Sequence, residues 1–262
     1  MELKIVTIDI ENFSNLLYSW QTYGQNWRAI ETEVEWHIMS FAAKWLGEKT
    51  QVYSLNKYKN YKPFITRKNN SVTFTKQDER ELLQELWNIL DKADIVIGWN
   101  SKRFDIKKIQ SKLIAYGFEP PSPFRQIDVM LEKKKVAESN SNALDYTGQE
   151  WNLGEKLPHT GWPLWKGCAE GDKKAWSKMC KYNAQDVVLT EKTYLYLRPW
   201  IANHPNLAVY EADAVCPKCK SRNLQKKGPE YRGQAIHQRW RCKDCGGNLY
   251  TNLKGKLPLR SA

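Results

Sequence analysis

Four carboxylates of this sequence have the types and spacing to hold hard divalent cations, and a tyrosine stands beside one of them. Asp9-Ile10-Glu11 ends the run LKIVTIDI, whose β-branched residues read as a buried strand over residues 3–10. Residues i and i+2 of a strand share a face, so both carboxylates reach one site where the strand emerges. Side by side they repel, and a divalent cation offsets the repulsion. Asp105 opens a helix after the stretch IVIGWNSKRF, which also contains Asn100 and Phe104. An aspartate at a helix start can be a cap, a metal ligand or both. Tyr182 and Asp186 stand at i and i+4 of a long helical stretch and so lie on one face. Aspartate has low helix propensity, so its mid-helix position reflects either a function or plain solvation. Carboxylate oxygens suit Mg²⁺ or Mn²⁺.

A second chemistry is written in cysteine. Cys216 and Cys219 form C-P-K-C, Cys242 and Cys245 form C-K-D-C-G, and 22 residues separate the pairs. Two such knuckles match one structural Zn²⁺ in a tetrahedral four-thiolate site. Two disulfides are the alternative, disfavoured by the lack of a secretory signal at the N-terminus. A module of about 50 residues hardly forms a core alone, so the metal supplies much of its folding energy. Segments 225–228 and 237–241 read as the arms of a zinc ribbon. Lys226, Lys227, Arg239, Trp240 and Arg241 on them suit phosphate contacts and base stacking. The alternative is a ribbon that only solubilises or docks a protein. Cys168 and Cys180 read as ordinary buried thiols.

Positioning these groups requires strands and helices in alternation. Apolar segments over 36–46, 50–55, 94–99 and 125–129 read as strands, with a turn at Gly47-Glu48. Residues 57–70 are polar and basic and read as a loop. Leu82, Leu83, Leu86, Ile89 and Leu90 form a helical stripe within 78–92. Residues 105–117 read as a second helix ended by Gly117, and 173–196 as a long third. The pattern means an α/β domain over residues 1–208 followed by the ribbon over 209–262, with the boundary near Pro205 to Asp213. Asp128 and Asp145 read as structural, and Lys133 to Lys135 as a solvated charge run. The tryptophans read mostly as core, and the lining of a substrate groove by Trp162, Trp165 and Trp176, near the Tyr182 and Asp186 pair, is a lesser reading. A substrate contact by His159 is a lesser reading.

Charge bounds the partners. The 262 residues carry 41 Lys+Arg against 29 Asp+Glu, a formal +12. From Asp213 to the end there are 12 basic and 3 acidic residues, so +9 belongs to the ribbon and +3 to the rest. Nucleic acid is the first anionic partner to expect and a membrane surface the second. Twelve Trp and 13 Tyr exclude a disordered chain. No run of eighteen apolar residues occurs, which excludes a transmembrane helix. A cytoplasmic, non-secreted protein without membrane attachment is expected.

Together the three acidic elements resemble the DEDD superfamily of 3′→5′ exonucleases, DnaQ-like enzymes with an RNase H-like fold. Asp9 and Glu11 match its D-x-E, Asn100, Phe104 and Asp105 its N-x-x-x-F-D, and Tyr182 and Asp186 its Y-x-x-x-D, which marks the tyrosine (DEDDy) subtype. The blocks SFAAKWLGE, LDY and LWKG are similar to phage-encoded members, which often carry a C-terminal zinc ribbon. Residues 142–157 resemble the matching region of family B polymerase proofreading domains. The resemblance implies an RNase H-like mixed sheet flanked by helices. It also implies two Mg²⁺ or Mn²⁺ held by Asp9, Glu11, Asp105 and Asp186, and Tyr182 orienting or helping to deprotonate a water. Glu11 would contact the terminal 3′-hydroxyl, and Asn100 and Phe104 the substrate strand. Implied partners are single-stranded DNA or RNA 3′ ends, DNA first, and replication proteins; the implied location is the host cytoplasm if phage-encoded. Two other readings stand beside it: a non-cleaving nucleic-acid-binding or replisome adaptor, and an endonuclease of the RNase H type.

Overall fold

The computed structural model describes residues 3–18, 31–232, 235–252 and 260–261. Strand β1 (Ile5–Phe13) is the axis of the main sheet. A short hairpin, β2 (Leu16–Tyr18) with β3 (Glu31–Val34), follows it. Next come β4 (His37–Trp45) and β5 (Gln51–Ser54), turning at Gly47 (φ 86°). Residues 57–70 are not all loop: β6 (Ile65–Lys68) pairs with β7 (Ser71–Phe74) as a polar hairpin. Its strands expose Arg67, Lys68 and Thr73, so no apolar alternation announces them. Helix α1 (Arg80–Lys92) buries the expected stripe of Leu82, Leu83, Leu86, Ile89 and Leu90. Strand β8 (Ile95–Gly98), helix α2 (Asp105–Ala115) and strand β9 (Arg125–Asp128) complete the unit.

The sheet order is β5–β4–β1–β8–β9. β1 pairs antiparallel with β4 and parallel with β8, and β8 is parallel to β9, so the sheet is mixed. Four helices follow β9: α3 (Val129–Val136), α4 (Leu144–Glu150), α5 (Trp162–Ala169) and α6 (Lys173–Leu197). The first three carry no long apolar stripe, and the sequence pattern alone does not mark them. The 25-residue α6 crosses the sheet, with Tyr194 and Leu197 packed against Ile5, Ile95 and Ile97. The alternate residues of β1 (Val6, Ile8, Ile10) join the larger core with Leu82, Leu86, Ile106 and Ile109. β1 is thus covered on both faces, which is why its sequence is a continuous apolar run. Lys133 is fully buried, not solvated: its Nζ donates to Ser141 O (2.9 Å) and Thr147 Oγ1 (2.8 Å), tying α3 to α4.

Two places fix the turn that delivers Asp105. Gly98 ends β8 so close to the next turn that a Cβ there would stand 2.5 Å from Ser101 Cβ. Asn100 adopts φ 57°, and fully buried Asp128 at the end of β9 accepts from Asn100 N and Lys102 N, both at 3.1 Å. Asp128 is therefore structural, as its apolar surroundings imply.

The C-terminal sheet runs β10 (Leu224–Arg232), β11 (Ala235–Cys242), β12 (Asn248–Asn252), β13 (Arg260–Ser261), all antiparallel. Its first cysteine knuckle is seated on the end of α6. Lys218, between Cys216 and Cys219, is 1% exposed, and its Nζ donates to Pro199 O at 2.7 Å. Leu207 N donates to Pro217 O at 2.7 Å. Beneath, Tyr194 Oη and His204 Nε2 are hydrogen-bonded at 2.8 Å. Burial pushes the His204 pKa down to about 4, so its ring is neutral at pH 7.

Gly98→Ala should lower stability by about 1–3 kcal/mol, the usual cost of overpacking. Urea unfolding checks it, and Ser101→Gly in the same chain should return part of the loss by removing the obstructing Cβ.

Candidate active site

Asp9 and Glu11 point to the α6 face of β1, the face on which Ile5 packs. Asp186 on α6 meets them there, so that carboxylate oxygens of Asp9, Glu11 and Asp186 all lie within 4.8 Å of one another. Asp105 is not within that group of three. It is buried at the start of α2, and its Oδ1 accepts from Ile10 N at 3.1 Å. One oxygen of Asp105 is thus spent on the main chain of β1, and the N-cap of α2 is Phe104 rather than Asp105. Its charge still reaches Asp9.

The electrostatics are those of acids crowded without enough countercharge. Burial, then Asp105, Glu11 and Asp186, drives the Asp9 pKa well above its ordinary value. Burial and Asp186 push Glu11 up to about 8. Burial lifts Asp105 to about 6. Burial also raises Asp186, against the pull of Lys156. Asp186 Oδ1 is buried with no hydrogen-bond partner. An orphaned anionic oxygen beside two converging carboxylates is a donor set that a hard divalent cation satisfies.

Lys156 is the functional side chain that periodicity does not reveal. Its Nζ donates to Asp186 Oδ2 (2.5 Å) and to Tyr182 Oη (2.9 Å). Burial opposes its charge, but Asp186 and Tyr182 outweigh that and pull its pKa up. It lies in the irregular stretch after α4, where the likeness of residues 142–157 to polymerase proofreading domains was the one available signal. Asp145 holds that stretch by accepting from Lys156 N at 2.6 Å. Tyr182 is 6% exposed, and burial lifts its phenol to about 12, so it stays protonated at neutral pH. The His159 ring lies 4.9 Å from that of Tyr182, at its edge.

A cleft of about 410 Å³ opens beside Glu11, lined by Asn12, Trp36, Phe104, Lys108 and Trp165. Phe104 is 44% exposed, with Lys108 Nζ 4.7 Å from its ring centroid. Asn100 sits at the preceding turn, its Oδ1 buried and unpartnered. Of the three tryptophans, Trp165 lines the cleft, Trp162 is exposed beside Phe13, and Trp176 is core, donating to Tyr61 Oη.

In the ribbon, Cys216 and Cys245 sulfurs are 3.7 Å apart and Cys219 and Cys242 sulfurs 3.6 Å. Those lengths are near the about 3.8 Å edge of a tetrahedron with Zn–S of about 2.3 Å, and far from a disulfide bond. Arg239 and Arg241 are exposed and share a face with Tyr250, which stands opposite Arg239. Trp240 faces the other way, onto Leu224, Leu249 and the cysteines. It is a packing residue of the ribbon, because alternation puts it opposite its arginine neighbours. Lys226 stands across from it and is exposed, while Lys227 is half-buried at an irregularity in β10.

The mixed sheet flanked by helices is an RNase H-like architecture. The family model described as RNase H superfamily matches residues 43–198, and the chain belongs to that superfamily. The match includes Asp105, Tyr182 and Asp186, while Asp9 and Glu11 precede it. Among solved structures, the family B DNA polymerase from the hyperthermophilic archaeon Pyrobaculum calidifontis shares the fold. It has a TM-score of 0.51 at 13% identity, over 76% of this chain and 25% of the polymerase. No curated protein sequence matches the chain. Among the described residues no helix is long and apolar enough to cross a membrane.

The acid cluster sets a pH dependence. Glu11, with a folded pKa of about 8 against an ordinary 4.5, binds its proton more tightly folded than unfolded. Stability of the metal-free protein should therefore be highest below about pH 4.5 of this group's range and fall as pH rises toward about 8. Melting curves of the zinc-loaded protein in buffer free of other divalent cations should show that slope, Glu11→Gln should flatten it, and added Mn²⁺ should raise Tm most at the alkaline end.

Proposed function

We propose that the protein is a metal-dependent 3′→5′ exonuclease of the DEDD superfamily, tyrosine subtype, acting on single-stranded DNA or RNA, with DNA preferred. The observation that carries the reading is Tyr182 and Asp186 on one face of α6 against Asp9 and Glu11 of β1. The architecture that it shares with a polymerase of family B agrees with this. So does the resemblance to phage-encoded exonucleases. Replication proteins as partners and a cytoplasmic location, that of the host if phage-encoded, belong to the same reading.

Asp9, Glu11, Asp105 and Asp186 would hold two Mg²⁺ or Mn²⁺. Once bound, these would neutralise the carboxylates, polarise water and phosphate, and stabilise the leaving 3′-oxygen. The protein's own groups do the rest. Tyr182, kept protonated by burial, donates a hydrogen bond and orients the attacking water rather than removing its proton. Lys156 keeps Tyr182 and Asp186 in mutual register and offers a cation to the scissile phosphate. Glu11 receives the terminal 3′-hydroxyl, and Asn100 and Phe104 hold the strand at the cleft. Four thiolates hold one structural Zn²⁺, and the nuclease and ribbon modules divide near residue 208. Lys226, Lys227, Arg239 and Arg241 contact phosphates, and Trp240 supports the arginine face from behind.

With Mg²⁺ or Mn²⁺, 5′-labelled single-stranded DNA should shorten stepwise, and RNA run beside it should shorten more slowly. Asp9→Ala or Asp186→Ala should cut the rate by at least a thousandfold. Full-length label persisting with the wild-type, zinc-loaded protein contradicts the proposal.

Arg239→Ala with Arg241→Ala should weaken strand binding and reduce the slope of log K against log salt by about 2 × 0.7 for a single strand. Fluorescence anisotropy at several salt concentrations measures both. An unchanged slope would assign the ribbon to a protein partner.

A further inference from the structure

The placement of Asp9 needs more than its own backbone. Its carboxylate shares a volume less than 4.8 Å across with oxygens of Glu11 and Asp186. Repulsion among the three favours turning Asp9 away, and the last torsion of an aspartate is soft. One neutral side chain opposes this. Asn183, directly after Tyr182 on α6, is fully buried, and its Nδ2 donates to Asp9 Oδ2 at 2.7 Å and to Asp9 O at 3.2 Å. The amide thus bridges the side chain and main chain of the same residue, which clamps the carboxylate relative to β1.

The direction of the amide is itself determined. Asn183 Oδ1 accepts from Ser40 Oγ at 3.4 Å. Ser40 is buried on β4 and stands opposite Glu11 in the strand register. Turned over, the amide would set its oxygen against two acceptors of Asp9, the carboxylate and the carbonyl. Ser40, Asn183 and Asp9 therefore form one chain of hydrogen bonds that links β4, α6 and β1 at the level of the acids. It engages Asp9 Oδ2 from the helix side.

This inference rests on the metal-site reading above and deepens it. We infer that Asn183, oriented by Ser40, is a positioning residue that holds the Asp9 carboxylate toward the divalent-cation site and so sets cation affinity. It touches neither substrate nor the reacting atoms. Partners of metal ligands of this kind are typically worth 10- to 100-fold in affinity.

The test is direct Mn²⁺ binding by the zinc-loaded full chain, read by electron paramagnetic resonance or calorimetry without substrate. Asn183→Leu, which keeps the volume and removes both polar ends, should raise the Mn²⁺ Kd about 10- to 100-fold. The cleavage rate at saturating Mn²⁺ should stay within about threefold of wild type. Ser40→Ala should weaken Mn²⁺ by a smaller factor at nearly unchanged Tm, and the double variant should bind no worse than Asn183→Leu alone. An unchanged Kd in Asn183→Leu with a lowered Tm overturns the inference and leaves a packing role. If Asn183→Leu does not fold, Ser40→Ala decides: an unchanged Kd overturns the inference. Wild-type protein that binds no Mn²⁺ sensitive to Asp186→Ala overturns the metal-site reading, and this inference falls with it.

Discussion

Like charges brought together out of water constrain everything else in this molecule. Asp9, Glu11 and Asp186 converge, with Asp105 close enough to add to the repulsion felt at Asp9. Left alone such a cluster would take up protons or splay apart. The fold prevents the second outcome. β1 is covered on both faces, α6 is packed along its length, and Asp105 is tethered to Ile10 N. What the fold does not supply is countercharge: Lys156 is the one ammonium hydrogen-bonded to these acids among the described residues. A site that is rigid and electrostatically unsatisfied is preorganised for cations, because their binding removes the repulsion without rearranging the protein.

Helix α6 carries the largest share of that rigidity. Its first half contributes Trp176 and Met179 to the main core, its middle presents Tyr182, Asn183 and Asp186, and its end supplies Tyr194 and Leu197 to the second cluster. One element thus bears phenol, amide and acid within little more than one turn, and its register against the sheet sets the geometry of all three. Gly148 belongs to the same arrangement. A Cβ there would meet Gly154 O at 2.5 Å and Leu189 at 3.0 Å, so α4 lies close on α6 and the stretch bearing Lys156 is brought over the acids.

How much of this was legible in the sequence depended on whether a signal is local. The strand before Asp9, the stripe of α1 and the cysteine knuckles are short-range patterns, and the structure places them where those patterns put them. The α/β class followed from the alternation of elements, and the mixed sheet from the resemblance to the DEDD superfamily. Lys156 and Asn183 were not legible: one lies in irregular chain and the other looks like any polar helix residue. Their partners are 30 and 174 positions away in sequence, and only the fold brings them together. Lys133 misled for the converse reason. A run of three lysines reads as solvated, yet the first turns inward to two oxygens that only α4 and its approach provide. Trp240 was read as a base-stacking surface from composition, whereas strand alternation, once the knuckle is placed, assigns it to the ribbon's interior.

The excess of positive charge takes on a structural meaning in this light. Most of it lies on the ribbon, and the ribbon is not a loosely tethered appendage. Lys218 is inserted, fully buried, between the knuckle and Pro199 at the end of α6. An ammonium so placed needs its carbonyl acceptor and gains from the thiolates on either side of it. Loss of the knuckle's geometry would therefore be felt at residues 199–207 and at Tyr194, which belong to the same packed cluster as the far end of the acid-bearing helix. The ribbon, which carries the exposed Arg239 and Arg241, is thereby anchored at residues 199–207 just beyond the helix that presents Asp186. Placing most of the positive charge on the ribbon leaves the acid cluster short of countercharge, since Lys156 is its one hydrogen-bonded ammonium among the described residues.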